Sequence, residues 1–200
     1  MLQLLIATRN SHKTAEFAQI LGRDFAVADL TSLASAEEVE ETGETFEENA
    51  TLKALAASQM TQRLVVADDS GLEVDALGGA PGVYSARYAG ASATDEQNIA
   101  KLLLELRRVG ADSGVSARFQ CVLVLARDGA KKAAFAGSIE GKIISSPRGQ
   151  HGFGYDPIFV PAGYNSTFGE LGEAAKNSIS HRADAIRQLK DYLRRQMRGE

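Results

Sequence analysis

Short apolar runs alternate with helix-like segments along the first part of the chain. LQLLIAT and FAVADL are short apolar runs of the kind that form buried strands. NSHKTAEFAQIL carries its apolar residues at helical spacing, and TFEENATLKALAASQM opens with a Thr and a Glu three residues apart, as in a capping box. The pattern therefore predicts strand, helix, strand and helix in that order.

The alternation continues to the end of the chain. The later segments are the short strands LVVAD and LEVDAL, the capped helix TDEQNIAKLLLELRRV, the strand pair RFQCVLVLAR and KKAAFAGSIEGKII across the turn DGA, and a last helix beginning near Ser180. No repeat, low-complexity tract or linker-like stretch interrupts them. We expect residues 1–200 to form a single α/β domain with a mixed central sheet flanked by helices.

Composition and charge narrow the class of protein. The 200 residues are 44% hydrophobic and 24% charged, which is ordinary for a globular protein. A net charge of −4 argues against a protein that binds the nucleic acid backbone. Cys121 lies inside an apolar run and is expected in the core, as in a reducing cytoplasm. The apolar N-terminal run is too short for a signal or membrane segment, so we predict a cytoplasmic protein.

Two adjacent acids, Asp68 and Asp69, follow the predicted strand LVVA. Ligands of open α/β sheets bind beyond the carboxyl ends of strands, so this position favours a functional site. Successive side chains of a strand point in opposite directions, so we expect only one of the two to face a ligand. The alternative is that both acids only form a turn before Ser70 and Gly71.

Seven glutamates fall between residues 37 and 48. Such a run is most often a solvated surface. Mg²⁺, however, is commonly held by one or two carboxylates together with the phosphates of a substrate, so one of these glutamates and one aspartate would suffice.

Basic residues stand at the starts of two predicted helices. Lys13 follows Asn10-Ser11, and His181 with Arg182 follows Ser180, positions where the helix dipole disfavours cations. A bound phosphate or polar oxygen would remove the conflict, because helix N-termini also offer free N–H groups. Lys13 alone is equally compatible with a solvated lysine.

The segment GFGYDPIF combines two glycines, two aromatic residues and an aspartate before a proline. It is typical of a turn entering a strand, with its aromatic rings in the core. Beside a phosphate site, the same segment could stack a ring on a nucleobase and accept a hydrogen bond from it through Asp156.

Five segments together resemble one family over nearly the whole chain. They are TRNSHK, EETGETFEENA, ADDSGLEVDALGGAPGVYSARYAG, GFGYDPIF and KNSISHRADA, and they are similar to the inosine/xanthosine triphosphate pyrophosphatase family. The resemblance implies two lobes around an active-site cleft, a homodimer, and Mg²⁺-dependent hydrolysis of ITP, dITP and XTP to the monophosphate and pyrophosphate. Such an enzyme keeps non-standard purines out of DNA and RNA.

The resemblance also implies the roles of individual residues. Asp69 would be the general base and a metal ligand, with Glu40 or Glu41 as the second metal carboxylate. The residues expected to bind substrate are Thr8, Arg9, Asn10, Ser11, His12 and Lys13 at the triphosphate, Ser70 as a further substrate contact, and Phe153, Gly154, Tyr155, Asp156, Lys176, His181 and Arg182 at the nucleobase. Water would attack the α-phosphorus in line while Lys13 stabilises the leaving pyrophosphate.

Some positions depart from the family pattern, and three other interpretations remain open. Arg9, Ala183 and the pair Leu171-Gly172 stand where the family usually has other residues, which bears on substrate preference.

The alternative functions are a related septum-inhibitor pyrophosphatase, a nucleotide sensor that does not hydrolyse, and a structural interaction module. TRNSHK fits the first alternative less well, and the retained acids count against the second.

Overall fold

Six strands and five α-helices make up the α/β fold of the computed structural model, which describes residues 1–33 and 39–199. The strands are β1 (Leu2–Ile6), β2 (Phe25–Asp29), β3 (Leu64–Val74), β4 (Val115–Arg127), β5 (Ala130–Ile143) and β6 (Phe159–Pro161). The helices are α1 (Ser11–Leu21), α2 (Phe46–Gln59), α3 (Asp95–Arg108), α4 (Phe168–Ile179) and α5 (His181–Arg198).

The strands form one mixed sheet in the order β2-β1-β3-β4-β5-β6. β1 pairs in parallel with both β2 and β3, whereas β5 and β6 are antiparallel. The mixed α/β fold expected from the sequence is therefore confirmed.

The predicted break after LVVA is wrong, because β3 is one continuous strand of 11 residues. Asp68 and Asp69 lie in its middle rather than at its end, and eight of its 11 residues are buried. The two acids do not end the strand because each has basic partners in the fold, described below. The sequence placed the pair at a strand end because those partners are distant along the chain.

Local signals predicted the helix starts correctly. Thr45 with Glu48 and Thr94 with Gln97 each form a capping box, at the first residues of α2 and α3. α5 begins directly after Ser180, as expected. Helix α4 was not predicted, because its pattern is interrupted by Gly172, whose φ of 76° is not helical.

The turn DGA joins β4 to β5 as the sequence predicted. Asp128 and Gly129 both have positive φ, 54° and 70°, which is the backbone of a type I′ hairpin turn. This twist matches that of the flanking strands, and Asp and Gly are residues that tolerate it.

The chain divides into two compact units, each with its own apolar core. The first comprises Met1–Asp69, Cys121–Gly137 and Arg182–Glu200, and the second Ser70–Gln120 and Ser138–His181. The first is filled by residues such as Leu4, Phe17 and Leu123, and the second by residues such as Leu72 and Phe159. The cleft between two lobes stays a prediction. None of the described helices is long and apolar enough to span a bilayer.

Candidate active site

Asp68, in the first unit, is a buried carboxylate that accepts hydrogen bonds from Lys13, Arg182 and Cys121. Its Oδ1 accepts from Lys13 Nζ, and its Oδ2 accepts from Arg182 Nε at 2.7 Å and from the thiol of Cys121 at 3.3 Å. Burial by itself would raise the pKa of Asp68, but Arg182 and Lys13 outweigh it and hold that pKa well below its usual value. Asp68 is thus ionised at neutral pH and holds two cations in place.

Cys121 is a core residue, as predicted, because it is fully buried and forms no disulfide. Burial and the neighbouring Asp68 raise the pKa of its thiol well above the usual value. The group therefore stays protonated and donates to Asp68.

The start of α1 is organised by its N-cap residue. The Asn10 side chain accepts hydrogen bonds from the backbone N–H groups of His12 and Lys13, and Thr8 Oγ1 accepts from Asn10 N at 3.1 Å. Arg9, Asn10, Ser11 and His12 are exposed, whereas Thr8 and Lys13 are half-buried. The TRNSHK segment is therefore a capped helix start, and it positions Lys13 to donate to Asp68.

The cations at the two helix starts have carboxylate partners within the protein. Besides contacting Asp68, Arg182 donates from Nη1 to Glu16 Oε2 at 2.7 Å, and its side chain is only 2% exposed. The helix-dipole conflict is thus relieved by Asp68 and Glu16. A substrate anion is not required for that purpose, which corrects the electrostatic argument made from sequence.

Asp69 contacts a different set of residues from its neighbour Asp68. Lys53, on α2, donates to Asp69 Oδ1 at 2.8 Å and to Glu41 Oε1 at 2.7 Å. The two adjacent side chains therefore have different partners, as expected for neighbours on a strand. That only one of them faces a ligand stays a prediction. Lys53 was missed as a site residue, although its place at helical spacing from Phe46 and Ala50 puts a charge on the buried row of α2.

One ammonium shared by two carboxylates explains the pKa shifts in this cluster. Burial raises the pKa of Asp69, and Lys53 only partly opposes it. Burial would lower the pKa of Lys53, but Asp69 and Glu41 together outweigh it, so that pKa is raised. The pKa of Asp69 is raised whereas that of Asp68 is lowered, so Asp69 is the more basic of the two adjacent aspartates.

The EETG segment is hydrogen-bonded to the first residues of α2. Gly43 N donates to Asn49 Oδ1 at 2.8 Å, and Glu48 Oε2 accepts from Glu44 N and Thr45 N. Of the two candidate metal glutamates, Glu40 is exposed and Glu41 is the one joined to Lys53. Two of the seven glutamates, Glu37 and Glu38, lie outside the described residues.

Asp69 and Glu41 fit the needs of a hard cation. Asp69 Oδ2 is buried and has no hydrogen-bond partner among the described residues, so a carboxylate oxygen is left to bind an additional ligand. Within residues 1–33 and 39–199 no group of three or more His, Cys, Asp or Glu side chains forms a full metal site. Two carboxylates completed by substrate phosphates is the arrangement expected for Mg²⁺.

The second unit holds a buried ion pair in the GFGYDP segment. Asp156 Oδ2 accepts from Lys176 Nζ at 2.6 Å and from Phe153 N at 2.9 Å, and both side chains of the pair are under 5% exposed. Lys176 Nζ also lies 4.3 Å from the centre of the Phe153 ring. These contacts bring Phe153, Asp156 and Lys176 together. Their role at the nucleobase stays a prediction.

The neighbouring residues shape the same loop. Gly154 N donates to Asp95 Oδ2 at 2.6 Å, and the buried Tyr155 hydroxyl donates to Ser85 O at 2.9 Å. Tyr155 is thus a core residue, which is the simpler interpretation of that aromatic position. The imidazole of His181 stacks on Phe119 with ring centres 4.8 Å apart.

The predicted substrate contact Ser70 and two of the departures from the family pattern can be placed in the fold. Ser70 is half-buried on β3 next to Asp69. Ala183 is fully buried in the first turn of α5, so its methyl group is accommodated there. The Leu171-Gly172 pair coincides with the interruption of α4.

The fold and the charged side chains of the candidate site together define the class of protein. It is an α/β protein with a mixed sheet, in which buried aspartates form ion pairs with lysine and arginine. The chain belongs to the Ham1 family, whose family model matches residues 4–192. The family resemblance drawn from the motifs is thereby confirmed.

Relatives and solved structures agree over almost the full length. The chain is 47% identical to the dITP/XTP pyrophosphatase of Bacillus subtilis and 49% identical to that of Geobacter sulfurreducens, over 96% of this chain and 98% and 97% of those proteins. A HAM1 protein structure from Coxiella burnetii has a TM-score of 0.86 at 42% identity, covering 96% of this chain and 98% of that one. The Staphylococcus aureus Ham1 protein gives 0.84 at the same identity and coverage.

Proposed function

We propose that this protein hydrolyses dITP, XTP and ITP to the nucleoside monophosphate and pyrophosphate, removing non-standard purines from the nucleotide pool. The observation that carries the proposal is Asp69, a buried carboxylate of raised pKa with one oxygen left for a ligand. It occurs in a chain nearly half identical, end to end, to dITP/XTP pyrophosphatases.

Asp69 acts as the general base. Its raised pKa makes it a better proton acceptor than an ordinary aspartate, while Asp68 stays ionised and holds Lys13 and Arg182. The attacking water gives a proton to Asp69 as its oxygen bonds to the α-phosphorus. The bond from that phosphorus to the bridging oxygen breaks, and pyrophosphate leaves. Lys13 offsets the charge that builds on it.

Asp69 and Glu41 would hold Mg²⁺, with Glu40 as the less favoured carboxylate because it is exposed and Glu41 already lies beside Asp69. When bound, the ion neutralises phosphate charge and lowers the pKa of coordinated water. The residues of the GFGYDP segment, with Lys176 and His181, are proposed to recognise the nucleobase, as the family resemblance implies. Base recognition by Arg182 is a separate proposal from the same resemblance. Homodimer formation and a cytoplasmic location are further proposals that rest on resemblance and on composition.

A panel of triphosphates tests the activity. Pyrophosphate release should be fast with dITP, XTP and ITP and slow with the standard nucleotides, and it should require Mg²⁺. A protein that binds these nucleotides without releasing pyrophosphate would be a sensor and not an enzyme.

Replacing Asp69 with Asn tests its place in the chemistry. Turnover should fall by roughly 10²-fold or more, because a base and a metal charge are both lost, while the fold is kept. Near-normal turnover of Asp69→Asn would remove that residue from catalysis.

Glu41→Gln should strongly raise the Mg²⁺ concentration needed for half-maximal rate, with Glu40→Gln as the matched control that leaves it nearly unchanged.

A further inference from the structure

Lys53 occupies the place between the two carboxylates that are proposed to hold the metal ion. Its ammonium is 2.7 Å from Glu41 Oε1 and 2.8 Å from Asp69 Oδ1. The side chains are 15%, 25% and 9% exposed for Lys53, Glu41 and Asp69, so water screens these charges only in part. The arrangement is a three-membered charge cluster with one cation and two anions.

The cluster needs positive charge whether or not a metal ion is present. Like charges repel, and the repulsion is stronger in a partly buried site than in bulk water because the effective dielectric is lower. Two carboxylates near each other would therefore repel strongly without a cation. Lys53 supplies one positive charge against two negative ones, and Asp69 Oδ2 still has no partner among the described residues.

We propose that Lys53 is the counter-ion of Glu41 and Asp69 in the metal-free protein and competes with Mg²⁺ for these two carboxylates. This inference rests on the proposed magnesium site. An incoming ion has to take over carboxylate oxygens that the ammonium now contacts, so the nucleotide-free protein binds Mg²⁺ weakly. Tight binding then depends on the additional oxygens that substrate phosphates contribute. The lysine stem is long and flexible, which lets the ammonium withdraw without moving α2.

The test is the affinity of the nucleotide-free protein for Mg²⁺ itself. Lys53→Met keeps an unbranched apolar stem and removes the ammonium group with its charge. Isothermal titration with MgCl₂, repeated with Mn²⁺ by electron paramagnetic resonance, should show binding at least about tenfold tighter than in the wild type, equivalent to about 1.4 kcal/mol. Equal or weaker binding would overturn the proposal, because a purely structural lysine would not restrain the ion.

Lys131→Met is the matched control. Lys131 also pairs with a glutamate of the first unit, Glu47 at 2.5 Å, yet it contacts neither Glu41 nor Asp69. Its loss removes the same charge, so its effect on Mg²⁺ binding measures the general change in net charge. A gain as large as that of Lys53→Met would also contradict the proposal.

Thermal unfolding covers the case in which Lys53→Met folds poorly. With chelator the variant should have a lower Tm than the wild type, because two carboxylates are left facing each other. Added Mg²⁺ should raise its Tm more than that of the wild type, since a ligand that binds only the native state stabilises it. A variant that stays unfolded in excess Mg²⁺ counts against the proposal, because the ion should replace the missing charge.

The hydrolysis assay separates this inference from the proposed function. If wild-type hydrolysis proceeds without Mg²⁺, the metal site itself is refuted. If hydrolysis requires Mg²⁺ and Asp69 but Lys53→Met shows no gain in nucleotide-free affinity, only the role of Lys53 is refuted.

Discussion

Asp68 and Asp69 are identical in chemistry and adjacent in sequence, yet their surroundings separate them. Neighbours on a strand point to opposite faces, so Asp68 contacts Lys13, Arg182 and Cys121 while Asp69 contacts Lys53. The pKa of Asp68 is lowered and that of Asp69 is raised. Titratable groups whose pKa values are pushed apart are typical of acid–base sites, and this difference supports the proposed role of Asp69 as the base.

Asp68→Asn should destabilise the protein at pH 7 by about 3–5 kcal/mol, because Lys13 and Arg182 lose the charge that they share. The folded pKa of Asp68 lies below its unfolded value of 3.8, so its contribution is fully present above that pH and is lost as the pH falls through the folded pKa. Urea unfolding from pH 7 to pH 2 should therefore show a shallower acid decline for the variant. The exposed Asp112→Asn is the control, and equal curves for Asp68→Asn and wild type would refute the argument.

Arg182→Ala tests base recognition at the residue scale. If Arg182 contacts the nucleobase, kcat/KM for ITP should fall about 10- to 100-fold while the slow reaction with ATP changes little. The variant also leaves Asp68 and Glu16 without their shared cation, so rates must be taken on protein shown to be folded. Arg187→Ala, on the exposed side of the same helix, is the control.

Equal losses for the two triphosphates would contradict base recognition by Arg182. Both share the same triphosphate group, so this result would place the effect of Arg182 at Asp68 and Lys13.

At the scale of elements, helix starts and one tight loop carry the candidate site residues. The starts of α1 and α5 bring Lys13 and Arg182 to the same carboxylate on β3. The GFGYDP loop is held by Asp156, whose carboxylate joins the loop backbone to Lys176 on α4. Each of these basic side chains is therefore positioned by an ion pair with a carboxylate on a different element.

Gly152→Ala should disrupt this loop. Gly152 has a φ of 76°, and an added Cβ would lie 1.9 Å from Asp156 Oδ2, so the carboxylate must move away from Phe153 and Lys176. We expect a loss of about 2–4 kcal/mol in unfolding free energy and a higher KM for ITP.

Gly154→Ala is the matched control for that variant. Gly154 has a φ of 62° but nothing within 4 Å of an added Cβ, so the change costs only backbone strain, about 1–2 kcal/mol. Urea unfolding measures both variants. If Gly152→Ala is no less stable than Gly154→Ala, the contact with Asp156 does not determine the loop.

For the whole molecule, the family resemblance predicts a homodimer. Light scattering at micromolar concentration should give a mass of twice 21.3 kDa. Dilution should not change it until the concentration approaches the dissociation constant. The mass of a single chain under these conditions would contradict the prediction.

Local signals in the sequence determined most elements of this protein. The two capping boxes, the Asp128-Gly129 turn and the apolar runs each act over a few residues, so they could be read without the fold. The five long motifs also identified the family and the candidate residues, which the Ham1 match confirms at the level of the family.

The tertiary structure alone decided how the charges are paired. Lys13 and Asp68 are 55 positions apart, Arg182 and Asp68 are 114 apart, and Arg182 and Glu16 are 166 apart. No local pattern reports such pairs, which is why Asp68 and Asp69 looked like a strand end and why Lys53 was overlooked. Burial then set the direction of each pKa shift, because desolvation and a nearby opposite charge act through distance in space and not through order along the chain.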